Sequence, residues 1–356
     1  MGRDLFVVCG VRPHYVKWAG LKTILSSAGI RSRMLDVRQH YDSDLTDLLL
    51  TDLNLSASET FNHRSLDPHE RAGSIYSSLC VFLERRLQVG PAPAVLVFGD
   101  VTATVMSALA ASRIGCPVVH VEAGVRSAPG VSGESIENRI RRVTAQVSAL
   151  NLCVLQDHVH ALEAETAPGR SHWVGDLGRE LLLELAGPPP VEPGEYVLVH
   201  IHKAENTDPE RIRTILRAVK RLDQRALVVV HPTIREVVQV ERDVSPSSLE
   251  FVDPLPYSTL AGVIRHSRFV LTDSGGLQRE AYHLGRRCVV RRDTVGWAEL
   301  VGEGGHVRVG VAEDEILYAM SEMWRTPTWR REVGSVFYNQ VGVEVARQAI
   351  VDLLQS

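Results

Sequence analysis

Residues 269–285 read "FVLTDSGGLQREAYHLG": an apolar strand, a tight turn holding two glycines, then a helix with an early acid. A turn of this kind leaves a row of free backbone N–H groups aimed at one point, and such a point attracts an anion, most often a phosphate. Ser274, Gly275 and Gly276 are therefore candidate anion-binding residues, with Glu280 about one helical turn further on. Strand–turn–helix units with glycine occur throughout α/β proteins, so the rest of the chain has to decide what this one holds.

Outward from that stretch, the same alternation runs from end to end. Strand-like apolar runs lie at 5–10, 32–37, 94–99, 117–122 and 151–156, and again at 196–201, 226–231, 249–252, 268–273 and 287–292. Helix-period segments separate them, among them 15–29, 70–87 and 102–115, the last ending in glycine as a helix C-terminus often does. Continuous rather than alternating hydrophobicity in the strands means a parallel sheet covered on both faces. The stretch "AGPPPVEPGE" (186–195) breaks the pattern, too stiff and donor-poor for either regular structure. The expected fold class is α/β, with two Rossmann-like doubly wound domains facing across a cleft. They span 1–178 and 179–339, with a C-terminal helix in 340–356 packed back on the first. Ligands of such sheets bind beyond the carboxyl ends of the strands.

Composition narrows the function. The 356 residues are 44% hydrophobic and 23% charged, ordinary values for a soluble globular protein, and the net charge of −4 without a basic run argues against nucleic acid. Apolar runs such as "AVLVFG" have strand length and cannot cross a bilayer, and the start passes straight into a strand pattern without a signal peptide. No membrane or nucleic-acid partner and a cytoplasmic location are expected. The five cysteines form no CxxC pair, so a metal site is not expected and the thiols read as reduced core residues.

Polar residues gather where strands end. Asp100 follows one strand, and His120, Glu122 and Arg126 cluster at the next. His202, Lys203, Glu205 and Asn206 follow the first strand after the proline stretch, and His231 the second; Arg12, His14 and Lys17 occupy the first turn of the chain. Each has a plainer reading. Asp100 is a good N-cap for a helix from Thr102. Glu122 is costly to bury without a partner, and Arg126 could be that partner. His202 could be a satisfied strand-end histidine, and Arg12 and Lys17 solvated charges.

The motifs, taken together and in order, resemble those of the UDP-N-acetylglucosamine 2-epimerases, which have the two-domain fold of the GT-B glycosyltransferases. "GVRPHYVK" is similar to their GTRPExxK, "GDVTATVMSALAASRIGCPVVHVEAGVRS" to their GD-T and HVEAGLR block, and "ENRIRR" to the tail of PEExNR. "HIHKAEN" resembles LHRREN, and "HP", "DPLPY" and "TDSGGLQREA" resemble HPN, DPLxY and TDSGGIQEEA. The resemblance implies a UDP-sugar substrate, with Ser274, Gly275 and Gly276 on the diphosphate and Glu280 on the ribose. It implies elimination of UDP to a 2-acetamidoglucal and re-addition, with Asp100, Glu122 and His202 as acid–base groups and no cofactor or metal. Arg12, Lys17, Arg126, Arg139 and His231 are the further substrate-binding positions it implies, and a homodimer is expected because family members are commonly dimers.

Departures from the pattern sit at functional places. Aligned on Asn138-Arg139, the two glutamates of PEExNR fall on Ser135 and Ile136, leaving Glu134 as a substitute acid if the loop shifts register. His14 replaces an acid, Lys203 an arginine, and Trp297 and Ala298 stand for the arginine and proline of RDTTERPE. The nucleotide half is largely intact and the sugar half altered. The leading expectation is interconversion of UDP-GlcNAc and UDP-ManNAc. The alternatives are a hydrolysing epimerase releasing UDP and ManNAc, a GT-B glycosyltransferase, and a UDP-sugar-binding homologue without turnover.

Overall fold

The computed structural model describes residues 3–39, 43–61, 67–127, 134–188, 195–292, 297–302, 305–326 and 337–356. The chain divides into two compact units, Met1–Glu180 with Ser335–Ser356, and Leu181–Gly334. Both are parallel-sheet α/β domains, as the strand–helix alternation predicts.

In the first unit the strands are β1 (Leu5–Cys9), β2 (Ser32–Asp36), β3 (Glu59–Thr60), β4 (Ala94–Phe98), β5 (Val118–Ala123), β6 (Leu150–Cys153) and β7 (Arg170–Trp173). They line up as β3-β2-β1-β4-β5-β6-β7, every described pair parallel. The helices are α1 (Arg12–Ser27), α2 (Ser43–Asp52), α3 (Pro68–Leu87), α4 (Thr102–Ile114), α5 (Ile136–Val147) and α6 (Gln156–Ala164). α7 (Arg179–Leu185) carries the division between the units. β1, β4 and β5 are buried along their whole length, which is why their sequences are continuous apolar runs.

The second unit has β8 (Val197–His200), β9 (Ala226–Val229), β10 (Leu249–Val252), β11 (Phe269–Thr272), β12 (Cys288–Arg291) and β13 (His306–Val309), in the order β10-β9-β8-β11-β12-β13. Its helices are α8 (Pro209–Leu222), α9 (Arg235–Arg242), α10 (Tyr257–His266), α11 (Gly275–His283), α12 (Ala298–Gly302) and α13 (Glu313–Arg325). α14 (Gly342–Gln355) returns to the first unit and packs on β6, β7 and α1. Gly342 is what permits that approach, because a Cβ there would overlap the Val174 carbonyl.

Of the proline-rich stretch, residues 189–194 lie outside the described residues. Residues 186–188 belong to the second unit, where Arg265 of α10 donates to the Ala186 carbonyl at 2.8 Å. The five cysteines are free thiols, four of them buried; burial pushes Cys116 up to about 11 and Cys153 up to about 12. Among the described residues no group of His, Cys, Asp and Glu is placed to hold a metal, and no helix is long and apolar enough to cross a membrane.

Candidate active site

Glu122 is a buried carboxylate of the first unit on an irregular stretch of strand. It is the next-to-last residue of β5 and has φ +64°, in the left-handed region, where the ladder to β6 shifts register between Val121 and Ala123. A side chain other than glycine held there costs about 1–2 kcal/mol. The bulge breaks the strand's two-residue alternation and re-aims the carboxylate, a device found next to active sites. Glycines accommodate the kink. Gly124 has φ +79° and no room for a Cβ, which would overlap the carbonyl of His158. Gly99, at the end of β4, has φ +64°, and a Cβ there would lie 3.7 Å from Glu122 Oε2.

The partner of Glu122 is Lys17. Lys17 Nζ donates to Oε2 at 2.5 Å, and both side chains are about nine-tenths buried, 10% and 11% exposed. Lys17 is therefore no solvated helix charge. The Glu122–Arg126 pair considered from the sequence is not formed. Arg126 instead makes a two-pronged bond to Glu165 at 2.9 and 2.6 Å, and that bond leads in holding the Glu165 carboxyl below its usual range. Arg12, read as a turn residue, is the first residue of α1, where Pro13 at the helix start removes a donor that would have no partner.

Two histidines share this region. His120 is fully buried and its Nε2 meets the Gly99 carbonyl at 2.8 Å; desolvation pushes it down to about 4. His158, near the start of α6, is pushed down to about 4 by burial as well, opposed by the charge of Glu122. Both are neutral at physiological pH, and the cation bonded to Glu122 is Lys17. Sequence reading passed over His158, which lies on a helix with no motif around it.

Asp100 pairs with Arg141 of α5 rather than capping α4, whose N-cap is Val101 without a side-chain bond. Arg141 also donates to Asn138 Oδ1 at 3.0 Å, and Asn138 bridges both backbone groups of Ser127 at 3.0 and 2.7 Å. This explains "ENR" in part: Asn138 pins the chain after β5, and Arg141 reaches Asp100. Arg141 was not singled out from the sequence, although its place one turn beyond Asn138 put it on the same face. Glu134 lies 2.7 Å from Arg142, and Arg139 is exposed and reaches the Glu134 carbonyl at 3.5 Å. Ser135, where the family pattern has a glutamate, caps α5 by accepting from Asn138 N–H at 3.1 Å, while Ile136 is 70% exposed. Gly133 of the same loop lies outside the described residues.

In the second unit, Ser274 caps α11, accepting from Leu277 N–H at 3.4 Å, and its own N–H goes to Thr272 Oγ1 at 3.0 Å. Gly275 and Gly276 open the helix and Glu280 is half-buried on it. Trp297, buried, lies beside Gly275: a Cβ there would be 3.5 Å from its Nε1. Its ring is covered by the Arg279 guanidinium at 4.6 Å, so that face is occupied within the protein. Residues 293–296 of the same segment lie outside the described residues. His202 and His231 stand 5.5 Å apart between ring centroids, with His200 5.2 Å from His202. His231 Nδ1 bonds Thr233 Oγ1 at 2.8 Å.

A family profile described as UDP-N-acetylglucosamine 2-epimerase matches residues 22–355. The chain belongs to the UDP-N-acetylglucosamine 2-epimerase family. It is 31% identical over 327 residues to the UDP-2,3-diacetamido-2,3-dideoxy-D-glucuronate 2-epimerase of Pseudomonas aeruginosa, covering 88% of this chain and 90% of that one. It is 25% identical over 374 residues to the UDP-N-acetylglucosamine 2-epimerase of Neisseria meningitidis, covering 98% of each. The fold is that of the Methanocaldococcus jannaschii UDP-GlcNAc 2-epimerase solved with UDP-GlcNAc and UDP, with TM-score 0.84, 23% identity and coverage of 98% and 99%. Arg12 and Lys17 precede the segment matched by the family profile, and the alignment to the Neisseria relative spans nearly the whole chain.

Proposed function

We propose that the protein epimerises a UDP-2-acetamido sugar at C2 without hydrolysing it, interconverting UDP-GlcNAc and UDP-ManNAc. The observation that carries this reading is Glu122: a buried carboxylate on a strained bulge, charge-paired with Lys17 at 2.5 Å. Strain and burial of this order are kept at sites that do chemistry.

C2 of the sugar has no neighbouring carbonyl, so its proton is not acidic enough for enolisation. Removal of that proton is coupled to cleavage of the anomeric C–O bond; the C–H electrons form the C1–C2 double bond of a 2-acetamidoglucal and the C1–O pair leaves on UDP. Re-addition of UDP with protonation on the other face gives the epimer. Glu122 and Asp100 are assigned to proton transfer at C2, with Glu134 as a third acid, and His202 to the leaving oxygen. Lys17, Arg12, Arg126 and Arg139 form the cationic surroundings. Ser274, Gly275 and Gly276 hold the diphosphate on the α11 N-terminus, Glu280 the ribose, and His231 the phosphate side. No cofactor or metal enters this scheme, and a cytoplasmic homodimer is the expected form.

A second reading of the substrate is favoured by the loop before α5. Ser135 is used as a cap and Ile136 is exposed where the family pattern carries acids, so the sugar side differs from that pattern. The Pseudomonas relative is named for a diacetamido glucuronate, and a sugar of that kind is the alternative substrate.

Proton NMR with the purified protein in D2O tests the proposal. Loss of the C2 proton with the UDP-sugar retained supports it. Free ManNAc indicates the hydrolysing reaction, and an unexchanged C2 across both sugar types removes the epimerase reading.

A further inference from the structure

Asp273, which follows β11, is fully buried and takes no part in the roles assigned above. Its two oxygens accept from the backbone N–H of His202 at 3.1 and 3.3 Å, from that of Lys203 at 2.9 Å, and from Asn206 Nδ2 at 2.9 Å. His202 Nδ1 stands 3.4 Å from Asp273 Oδ1. Of these partners the imidazole is the one able to carry a full positive charge. A carboxylate out of water costs several kcal/mol unless donors and an opposite charge surround it.

The arrangement ties the histidine down twice. The carboxylate holds the His202 backbone and also confronts one nitrogen of its ring. An unprotonated Nδ1 would sit buried 3.4 Å from a negative oxygen with nothing to offer it, short of a formed hydrogen bond. A proton on Nδ1 removes that repulsion and makes Nε2 the nitrogen that exchanges a proton with substrate in this scheme. His200 and His231 also pack on the His202 ring.

We propose that Asp273 is the positioning residue for His202, fixing the Nδ1-protonated ring so that Nε2 serves the diphosphate oxygen. This rests on the assignment of His202 to the leaving-group side. As the C1–O bond breaks, its electron pair leaves on the diphosphate, and the Nε2 proton of the imidazolium passes to that oxygen. The Nδ1 proton stays toward Asp273, and on re-addition Nε2 takes its proton back. The same type of carboxylate–histidine pair sets the tautomer in hydrolase triads, where losing the carboxylate produces the wrong one.

The test uses the full chain labelled with 15N-histidine and saturated with UDP, with the His202 signals identified by their absence in His202→Asn. The expected spectrum has a protonated Nδ1 on His202; an Nε2-protonated neutral ring with bare Nδ1 overturns the inference. Asp273→Asn is then compared with Asn206→Ala, which removes bonds of 2.9 and 3.0 Å to Asp273 and the Arg291 carbonyl but leaves the imidazole contact. Asp273→Asn is expected to lower kcat for C2 exchange about 100-fold while UDP affinity stays within about three-fold. Asn206→Ala is expected to keep the tautomer. Equal losses in both variants with an unchanged tautomer would reduce Asp273 to a loop anchor. If Asp273→Asn does not fold, the wild-type tautomer alone decides. A wild-type protein that exchanges C2 yet shows a bare Nδ1 refutes this inference and spares the epimerase reading. One that shows the Nδ1 proton but never exchanges does the reverse.

Discussion

Replacing Lys17 by methionine removes a charge while nearly preserving side-chain volume. In the wild type the two charges are 2.5 Å apart with side chains only 10% and 11% exposed. Even at an effective dielectric constant of 20, unit charges at about 4 Å attract by about 4 kcal/mol. Removing one partner of a buried pair leaves the other charge uncompensated and costs about 3–5 kcal/mol. Lys17→Met should therefore lose about that much stability in urea unfolding at pH 7. Loss of the ammonium beside Glu122 should also lower C2 exchange at neutral pH. The double variant Lys17→Met/Glu122→Gln removes both charges and should regain about 2 kcal/mol over the single variant. A single-variant loss below about 1 kcal/mol, the worth of an exposed pair, would refute the reasoning, and so would strict additivity in the double variant.

Acid should destabilise the first unit through His120 and His158, each at about 4 when folded against 6.5 as a free side chain. As pH falls below about 6.5 the unfolded chain binds the protons first, so stability present above that pH is lost down to about 4, about 3 kcal/mol for each ring. Urea midpoints measured across that window should fall, and His158→Gln should flatten the slope; a midpoint independent of pH would contradict the burial assigned to both rings. Gly124→Ala forces a Cβ onto the His158 carbonyl at φ +79° and should destabilise by about 2–4 kcal/mol in thermal unfolding, a neutral substitution being the contrary result. Glu134→Gln should lower the C2 exchange rate by about 100-fold if Glu134 serves as the third acid, and a wild-type rate would leave it as the ion-pair partner of Arg142.

Much of the architecture is written locally. A strand buried on both faces has to be a continuous apolar run, so β1, β4, β5, β8 and β11 announce themselves. The turn at Ser274 is equally local, because a cap and two glycines at a helix start are neighbours in sequence. What escaped is pairing over distance. Lys17 and Glu122 are separated by 105 positions, Asp100 meets Arg141, and Arg126 turns to Glu165 instead of Glu122. Nothing in a window of residues says which cation reaches which carboxylate. The bulge at Glu122 escaped for a related reason: the following glycine hints at a turn, but left-handed backbone at a glutamate is imposed by the β5–β6 ladder and the close approach of α6 at Gly124. Trp297 stands where the family pattern has an arginine, and only the folded chain shows that Arg279 lies over its ring.

Glu122 bears the weight of the account, and one comparison puts it to trial: the rate of C2 deuterium incorporation into UDP-GlcNAc by wild type and by Glu122→Gln, both saturated with substrate. The account predicts incorporation by the wild type and a fall of at least about 100-fold in the variant, with UDP affinity kept. A variant that exchanges at the wild-type rate would contradict it.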